Sequence, residues 1–207
     1  EVVGAAIAVA KKAAAGTGTL VALDVGPLGE LLEPMGTLSF ERAYDLFREM
    51  AEAGAKAGAD LIVVETMTDL YEAKAALLAA KEAAQLPVFV TMSFDAGGRT
   101  FTGCTVASMA RTLEGLGADA IGLNCSLGPD LLKELCENPR LPVIAKPNAG
   151  LPDPVDGHYD MGPEDFAQAL LTCVEAGISI VGGCCGTSPE YIRRLTAVLE
   201  GKKPVSR

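Results

Sequence analysis

Residues 61–65 read Leu-Ile-Val-Val-Glu, a β-branched apolar run that ends in a carboxylate. Runs of this kind recur about six times, separated by longer Ala-, Leu-, Glu- and Lys-rich stretches of helical period. Nearly continuous hydrophobicity is what a strand needs when helices cover both faces of a parallel sheet. The predicted strands are Leu20–Asp24, Leu61–Glu65, Val88–Ser93, Ala118–Leu123, Pro142–Lys146 and Ile178–Gly182.

Helices are predicted between these strands, and their ends carry physical signals. Ser188-Pro189-Glu190 is typical of an N-cap, a proline at the first helical position and an acid in the first turn. Gly58 and Gly177 stand where a helix must stop before the next strand. The predicted helices are Val2–Ala15, Ser39–Ala57, Leu70–Gln85, Thr105–Leu116, Pro129–Glu137, Pro163–Ala176 and Pro189–Leu199.

Alternating strands and helices are compatible with an open doubly wound sheet or with a (β/α)8 barrel. The barrel is favoured because no G-x-G-x-x-G motif follows the first strand, and polar or sulfur residues follow several strands. We therefore predict an α/β fold of TIM-barrel type with about six βα units, in one domain over residues 1–207. The first helix has no strand before it, so the chain is expected to begin inside a larger fold.

Composition and charge exclude several classes of protein. The 207 residues carry a net charge of −10 and no Trp, which disfavours nucleic acid as a partner. No apolar run approaches the length of a membrane span, and the first residues do not resemble an export signal. Six Cys are too dilute for a disulfide scaffold, so we expect reduced thiols and a cytoplasmic location.

Three cysteines follow predicted strands. Cys125 comes after the strand Ala118–Leu123, and the Cys184-Cys185 pair comes after the strand Ile178–Gly182. The carboxyl ends of all strands in a parallel barrel open on one face, so these thiols can converge. Both members of the pair can reach one point only if the backbone bends, which Gly182, Gly183 and Gly186 permit. Three thiolates around Zn²⁺ leave a fourth position open, as in catalytic zinc sites. The spacing indicates a site that activates a thiol for attack on an electrophilic carbon, such as an activated methyl group.

Other interpretations of these residues remain open. A cysteine on a strand is often simply buried in the core. The adjacent pair also suits a redox pair or a vicinal disulfide, and Gly182-Gly183 before a helix is compatible with a phosphate-binding loop. Cys104, Cys136 and Cys173 are expected in the core or on the surface.

Longer motifs surround these residues and span most of the chain. They are ADLIVVETMTD at 59–69, TMSFDAGGRTFTG at 91–103, GLNCSLGPD at 122–130, KPNAGLP at 146–152 and GGCCGTSPEYI at 182–192. With them the sequence resembles the homocysteine S-methyltransferase family. The PNAGLP and GGCCGTSP motifs are most similar to the homocysteine- and zinc-binding domain of its cobalamin-dependent methionine synthase branch.

The resemblance implies a barrel that holds one Zn²⁺ through Cys125, Cys184 and Cys185, with the sulfur of homocysteine as fourth ligand. It implies that Glu65 holds the substrate amino group, and it makes Asn148 a polar substrate contact. Without the family, Glu65 is equally a solvated charge, and Asn148 is a turn residue beside Pro147. Asp24, which ends the first predicted strand, is a candidate to orient substrate or to satisfy loop amides.

Methylcobalamin is then the expected methyl donor and methionine the product, with folate- and cobalamin-binding modules elsewhere. The family's barrel begins with two further strands, so the first two strands are expected to be missing from this chain. One alternative is a betaine- or S-methylmethionine-dependent homocysteine methyltransferase. Another is an inactive fragment that only binds zinc or substrate.

Overall fold

Six parallel strands form a single sheet in the computed structural model, which describes residues 1–126, 135–136 and 140–202. The strands lie side by side in their order along the chain. They are β1 (Ala22–Val25), β2 (Leu61–Met67), β3 (Val88–Met92), β4 (Ala120–Asn124), β5 (Val143–Lys146) and β6 (Ile180–Val181).

Helices connect the strands. They are α1 (Val2–Ala14), α2 (Phe40–Lys56), α3 (Leu70–Ala83), α4 (Val106–Gly115), α5 (Pro163–Glu175) and α6 (Pro189–Leu199). Side chains of Ser39, Asp69 and Thr105 accept backbone N–H groups at the starts of α2, α3 and α4, which fixes where those helices begin. Proline occupies the first turn of α5 and of α6, where its missing N–H is not needed.

The sequential strand order decides between the two predicted architectures. A doubly wound sheet reverses its strand order at a switch point, whereas every described neighbour here is the next strand along the chain. In register, Ala22 pairs with Leu61 and Ile121 pairs with Val143. Among the described strands, β1 pairs only with β2 and β6 only with β5. This is the order of consecutive strands in a (β/α)8 barrel, as predicted.

Small residues bring the helices close to the sheet. Ala73, Ala76 and Ala80 of α3 are at most 3% exposed, and a side chain added at Gly54 of α2 would meet Leu23 of β1 at 2.6 Å. Larger side chains such as Leu77 and Phe47 fill the space between and are at most 2% exposed. Each such buried side chain contributes about 1.5–3 kcal/mol through the hydrophobic effect.

The predicted elements occur with small shifts at their ends. The helix Pro189–Leu199 has its predicted bounds, and the other described helices differ from theirs by at most two residues at either end. The helix predicted over Pro129–Glu137 lies mostly outside the described residues, of which 135 and 136 are helical. None of the helices in the described part of the chain is both long and apolar enough to cross a membrane.

Candidate metal centre

Cys125 lies immediately after β4, where the backbone leaves the sheet. Its φ is +51°, a left-handed conformation that non-glycine residues adopt only with some strain. Its amide donates to the carbonyl of Lys146 at the end of β5, 3.2 Å away. The left-handed residue therefore ends β4 while keeping its backbone attached to the neighbouring strand.

A glycine-rich turn follows β6 and carries the other two cysteines. The amide of Cys184 donates to the carbonyl of Pro147 (3.0 Å), and the Thr187 hydroxyl donates to the carbonyl of Cys184 (2.8 Å). A side chain at Gly183 would collide with Thr187 at 2.4 Å. Gly186 has φ +77°, and a Cβ there would enter the ring of Tyr159 at 2.3 Å. The turn thus has the bend that lets adjacent cysteines face one point.

The structure brings the three predicted cysteines together. Their Sγ atoms all lie within 4.8 Å of one another, and those of Cys125 and Cys185 are 3.7 Å apart. Sulfurs that share one tetrahedral zinc at about 2.3 Å lie roughly 3.8 Å apart. Cys125 and Cys184 are paired as a disulfide, with their Cα atoms 5.9 Å apart. In its reduced form this donor set fits a soft metal ion such as zinc.

Asn148 braces the cysteine turn from the loop after β5. Its Oδ1 accepts the amide of Cys185 at 3.1 Å, and the amide of Ala149 donates to the carbonyl of Cys185 at 2.9 Å. The side chain predicted as a substrate contact thus has a partner within the chain. It lies beside Cys185, next to the three clustered thiols.

Glu65 forms an ion pair with Lys146, which reaches it from β5. The Glu65 side chain is 19% exposed and that of Lys146 is 25% exposed, so solvent screens the pair only in part. Asp24 of β1 belongs to the same group of charges. Asp24 is partly exposed, but its partial burial, and then the Glu65 carboxylate, raises its pKa, while Lys146 acts against them. Two carboxylates and an ammonium therefore lie together on β1, β2 and β5.

Sequence reasoning missed Lys146 and gave no role to Asn124. The Asn124 side chain is buried, and it joins the end of β4 to Thr66 of β2 and Thr91 of β3. A polar residue within an apolar strand is the signal that identifies such a group, because buried polar atoms need partners. Which partners they have depends on how the strands align.

Three backbone amides of the glycine loop are already engaged, which disfavours a phosphate cradle there. A cradle needs free backbone amides, but the amides of Gly182, Cys184 and Cys185 donate to Ala145, Pro147 and Asn148. The other three cysteines are not part of this cluster: Cys104, Cys136 and Cys173 are half-buried. Burial is the main cause that raises the pKa of the Cys104 and Cys173 thiols.

A parallel α/β sheet with three clustered thiols at its carboxyl edge is typical of a barrel enzyme, and the thiols could hold a metal ion. The chain belongs to the homocysteine S-methyltransferase family, whose sequence profile matches residues 1–199. Methionine synthase from Mycobacterium leprae (strain TN) is 36% identical over 188 residues, and that from Mycobacterium tuberculosis (strain ATCC 25618 / H37Rv) is 36% identical over 196. The alignments cover 85% and 89% of this chain but 16% of each relative.

Solved structures agree on the fold. The apo form of the homocysteine methyltransferase MmuM from Escherichia coli superposes with a TM-score of 0.77 at 26% identity, over 94% of this chain and 71% of that one. Its metallated form gives a TM-score of 0.75 at 26% identity, over 95% and 69% of the two chains. The predictions of the family and of a TIM-barrel type fold are confirmed.

Proposed function

We propose that this chain is a homocysteine S-methyltransferase domain, over residues 1–207, that uses zinc to activate the thiol of homocysteine and yields methionine. The observation that carries the proposal is the convergence of Cys125, Cys184 and Cys185, whose sulfurs lie within 4.8 Å of one another. Membership of the family supports the same chemistry.

Cys125, Cys184 and Cys185 would hold the metal. Zinc bound by three thiolates supplies a Lewis-acid position that favours the ionised form of an incoming thiol. A free thiol with a pKa near 8.5 is only about 3% thiolate at pH 7, and ionising it costs roughly 2 kcal/mol. The thiolate then forms a bond to the methyl carbon while the bond from that carbon to the donor breaks, and the donor keeps the electron pair.

Glu65 is the proposed site for the substrate ammonium. Its Oε2 accepts from Lys146, but a carboxylate has two oxygens with about four lone-pair positions. The other oxygen can therefore accept from the ammonium while the ion pair persists. The negative charge of Asp24 adds to the attraction, so this group of charges favours a thiol that carries a positive group. Asn148 keeps its proposed contact with substrate and would also hold the turn of Cys185.

The methyl donor is proposed to be methylcobalamin. The relatives named methionine synthase support this choice, and they are several times longer than this chain. Folate- and cobalamin-binding modules would then lie elsewhere and present the donor to the cysteine edge of the sheet. A three-thiolate site requires reduced cysteines, which supports a cytoplasmic location.

The test is methyl transfer by the zinc-loaded chain to homocysteine from methylcobalamin, betaine and S-methylmethionine, each assayed separately. Methionine formed from methylcobalamin is the expected result. Methionine formed only from betaine or S-methylmethionine would overturn the donor assignment. No methionine from any donor, with zinc bound, would overturn the activity and leave a zinc-binding fragment.

A further inference from the structure

Asn124 is the last residue of β4, immediately before Cys125, and is 1% exposed. Its backbone is fixed, because its carbonyl accepts the hydroxyls of Ser93 at 2.9 Å and of Ser126 at 3.0 Å. A buried primary amide must satisfy two N–H donors and an oxygen acceptor, or it destabilises the fold by about 1–3 kcal/mol per unmet group. Its four possible bonds can all be traced.

The oxygen of the Asn124 carboxamide faces the neighbouring strands. Oδ1 accepts the backbone amide of Thr66 at 2.9 Å and the hydroxyl of Thr91 at 2.8 Å. A backbone amide only donates, so the atom that faces Thr66 must be the oxygen. This settles the orientation of the carboxamide, which is otherwise ambiguous between oxygen and nitrogen. Thr66 itself has φ +61°, which aims its amide and its hydroxyl at the same side chain.

The nitrogen consequently faces the metal centre. One N–H of Nδ2 donates to the Thr66 hydroxyl at 2.6 Å. The other points at the two sulfurs of the Cys125–Cys184 disulfide, with Nδ2 lying 3.7 Å from Sγ of Cys184 and 3.8 Å from Sγ of Cys125. One amide hydrogen is therefore shared between sulfurs that come from strand ends 59 positions apart in sequence.

We infer that Asn124 is a positioning residue of the metal centre, which holds the sulfurs of Cys125 and Cys184 toward one point and moderates their electron donation. This inference rests on the proposed zinc function. Three thiolates on one divalent ion leave an excess negative charge, and an N–H donor disperses part of that charge on the sulfurs. Hydrogen bonds around a metal centre orient its ligands, and their loss typically lowers metal affinity about 10–100-fold.

The substitution Asn124→Asp tests the inference with little change of shape. It keeps an oxygen for Thr66 and Thr91 but replaces the N–H donor with an acceptor that repels both sulfurs. Zinc affinity of the reduced chain, measured by competition with a chromophoric chelator, should fall at least about 10-fold. In the cobalt-substituted protein, the sulfur-to-cobalt charge-transfer band should shift.

Thr91→Val is the matched control, because it removes the hydrogen bond from the Thr91 hydroxyl to Oδ1 of Asn124. It leaves the contacts of the Asn124 nitrogen with the two sulfurs in place. Both variants should lower the unfolding temperature of the metal-free chain, but Thr91→Val should leave the cobalt band unchanged and zinc affinity within about 3-fold. If Asn124→Asp does not fold, Asn124→Ser, which lacks the amide and adds no charge, takes its place with the same expected direction.

Unchanged zinc affinity and an unchanged cobalt band in the Asn124 variant would overturn the inference while the zinc proposal stands. Equal band shifts in the Asn124 and Thr91 variants would also overturn it, because a general loosening of the strands would then explain both. A parent chain that binds no zinc when reduced would instead overturn the proposed function, and the inference with it.

Discussion

Cys125 and Cys184 stand 59 positions apart in the sequence, yet their Cα atoms are 5.9 Å apart. The end of β5 joins them. The carbonyl of Lys146 accepts the amide of Cys125, and the carbonyl of the next residue, Pro147, accepts the amide of Cys184. Because β5 lies between β4 and β6 in the sheet, two consecutive residues at its end can hydrogen-bond to both cysteines. The convergence of the thiols thus follows from the strand order.

Oxidation should switch metal binding off. A disulfide between Cys125 and Cys184 removes two of the three proposed ligands and leaves the other four cysteines as thiols. The folded oxidised protein should therefore bind no zinc, and it should titrate four thiols once it is denatured. The folded reduced protein should bind one ion, and after denaturation it should titrate six thiols, the number in the sequence. Zinc retained at full stoichiometry after the two thiols are lost would contradict the ligand assignment.

Glu65→Gln should weaken recognition of the substrate amino group without loss of zinc. The neutral amide cannot form a charge-assisted bond to an ammonium, so we expect KM for homocysteine to rise at least about 10-fold. Lys146→Met is the matched control, because it breaks the same ion pair and keeps the carboxylate.

Steady-state kinetics with 4-mercaptobutyrate, which lacks the amino group, complete the test of Glu65. The parent and the Gln variant should use this thiol equally poorly. If Lys146→Met raises KM for homocysteine as much as Glu65→Gln does, the ion pair and not the ammonium contact explains the effect.

Asp24 should give the folding stability a defined pH dependence. Burial, followed by the nearby Glu65 carboxylate, raises the folded-state pKa of Asp24 above its ordinary value of 3.8. Between that value and the raised pKa the folded chain binds more protons than the unfolded chain, so this contribution to stability is lost as pH rises through the window. The variant Asp24→Asn should consequently be more stable than the parent at pH 7, with the difference vanishing near pH 3.

Urea unfolding of the metal-free parent and Asp24→Asn, at several pH values, measures this difference. A stability difference that stays constant with pH would show that Asp24 acts through packing or hydrogen bonding, and not through its charge.

The sequence was sufficient to predict the strand ends that carry the site. The run at 61–65 and its counterparts predict a parallel sheet, and a parallel sheet brings its carboxyl ends to one edge. That reasoning places Cys125 and Cys184 on the same rim without any knowledge of distances. It also predicts the helix Pro189–Leu199 to the residue, because a serine N-cap and a first-turn proline mark its start.

The side-chain contacts within the site could not be predicted from the hydrophobic periodicity of the sequence. Lys146 meets Glu65 across 81 positions, and Asn124 meets Thr66 across 58. Such contacts depend on strand register and on left-handed residues such as Thr66 and Cys125, which alternation patterns do not reveal. Asn148 shows the same limit, since its contact with the amide of Cys185 arises from the fold of two loops.

Zinc content of the reduced chain, measured beside its Cys125→Ser, Cys184→Ser and Cys185→Ser variants, tests the account most directly. Serine keeps the size of each side chain and removes the soft ligand. We predict about one zinc per parent chain and strong loss in each of the three variants, with Cys173→Ser, away from the centre, as the unaffected control. Full zinc in any of the three would remove that cysteine from the site, and a reduced parent that binds no zinc would contradict the account as a whole.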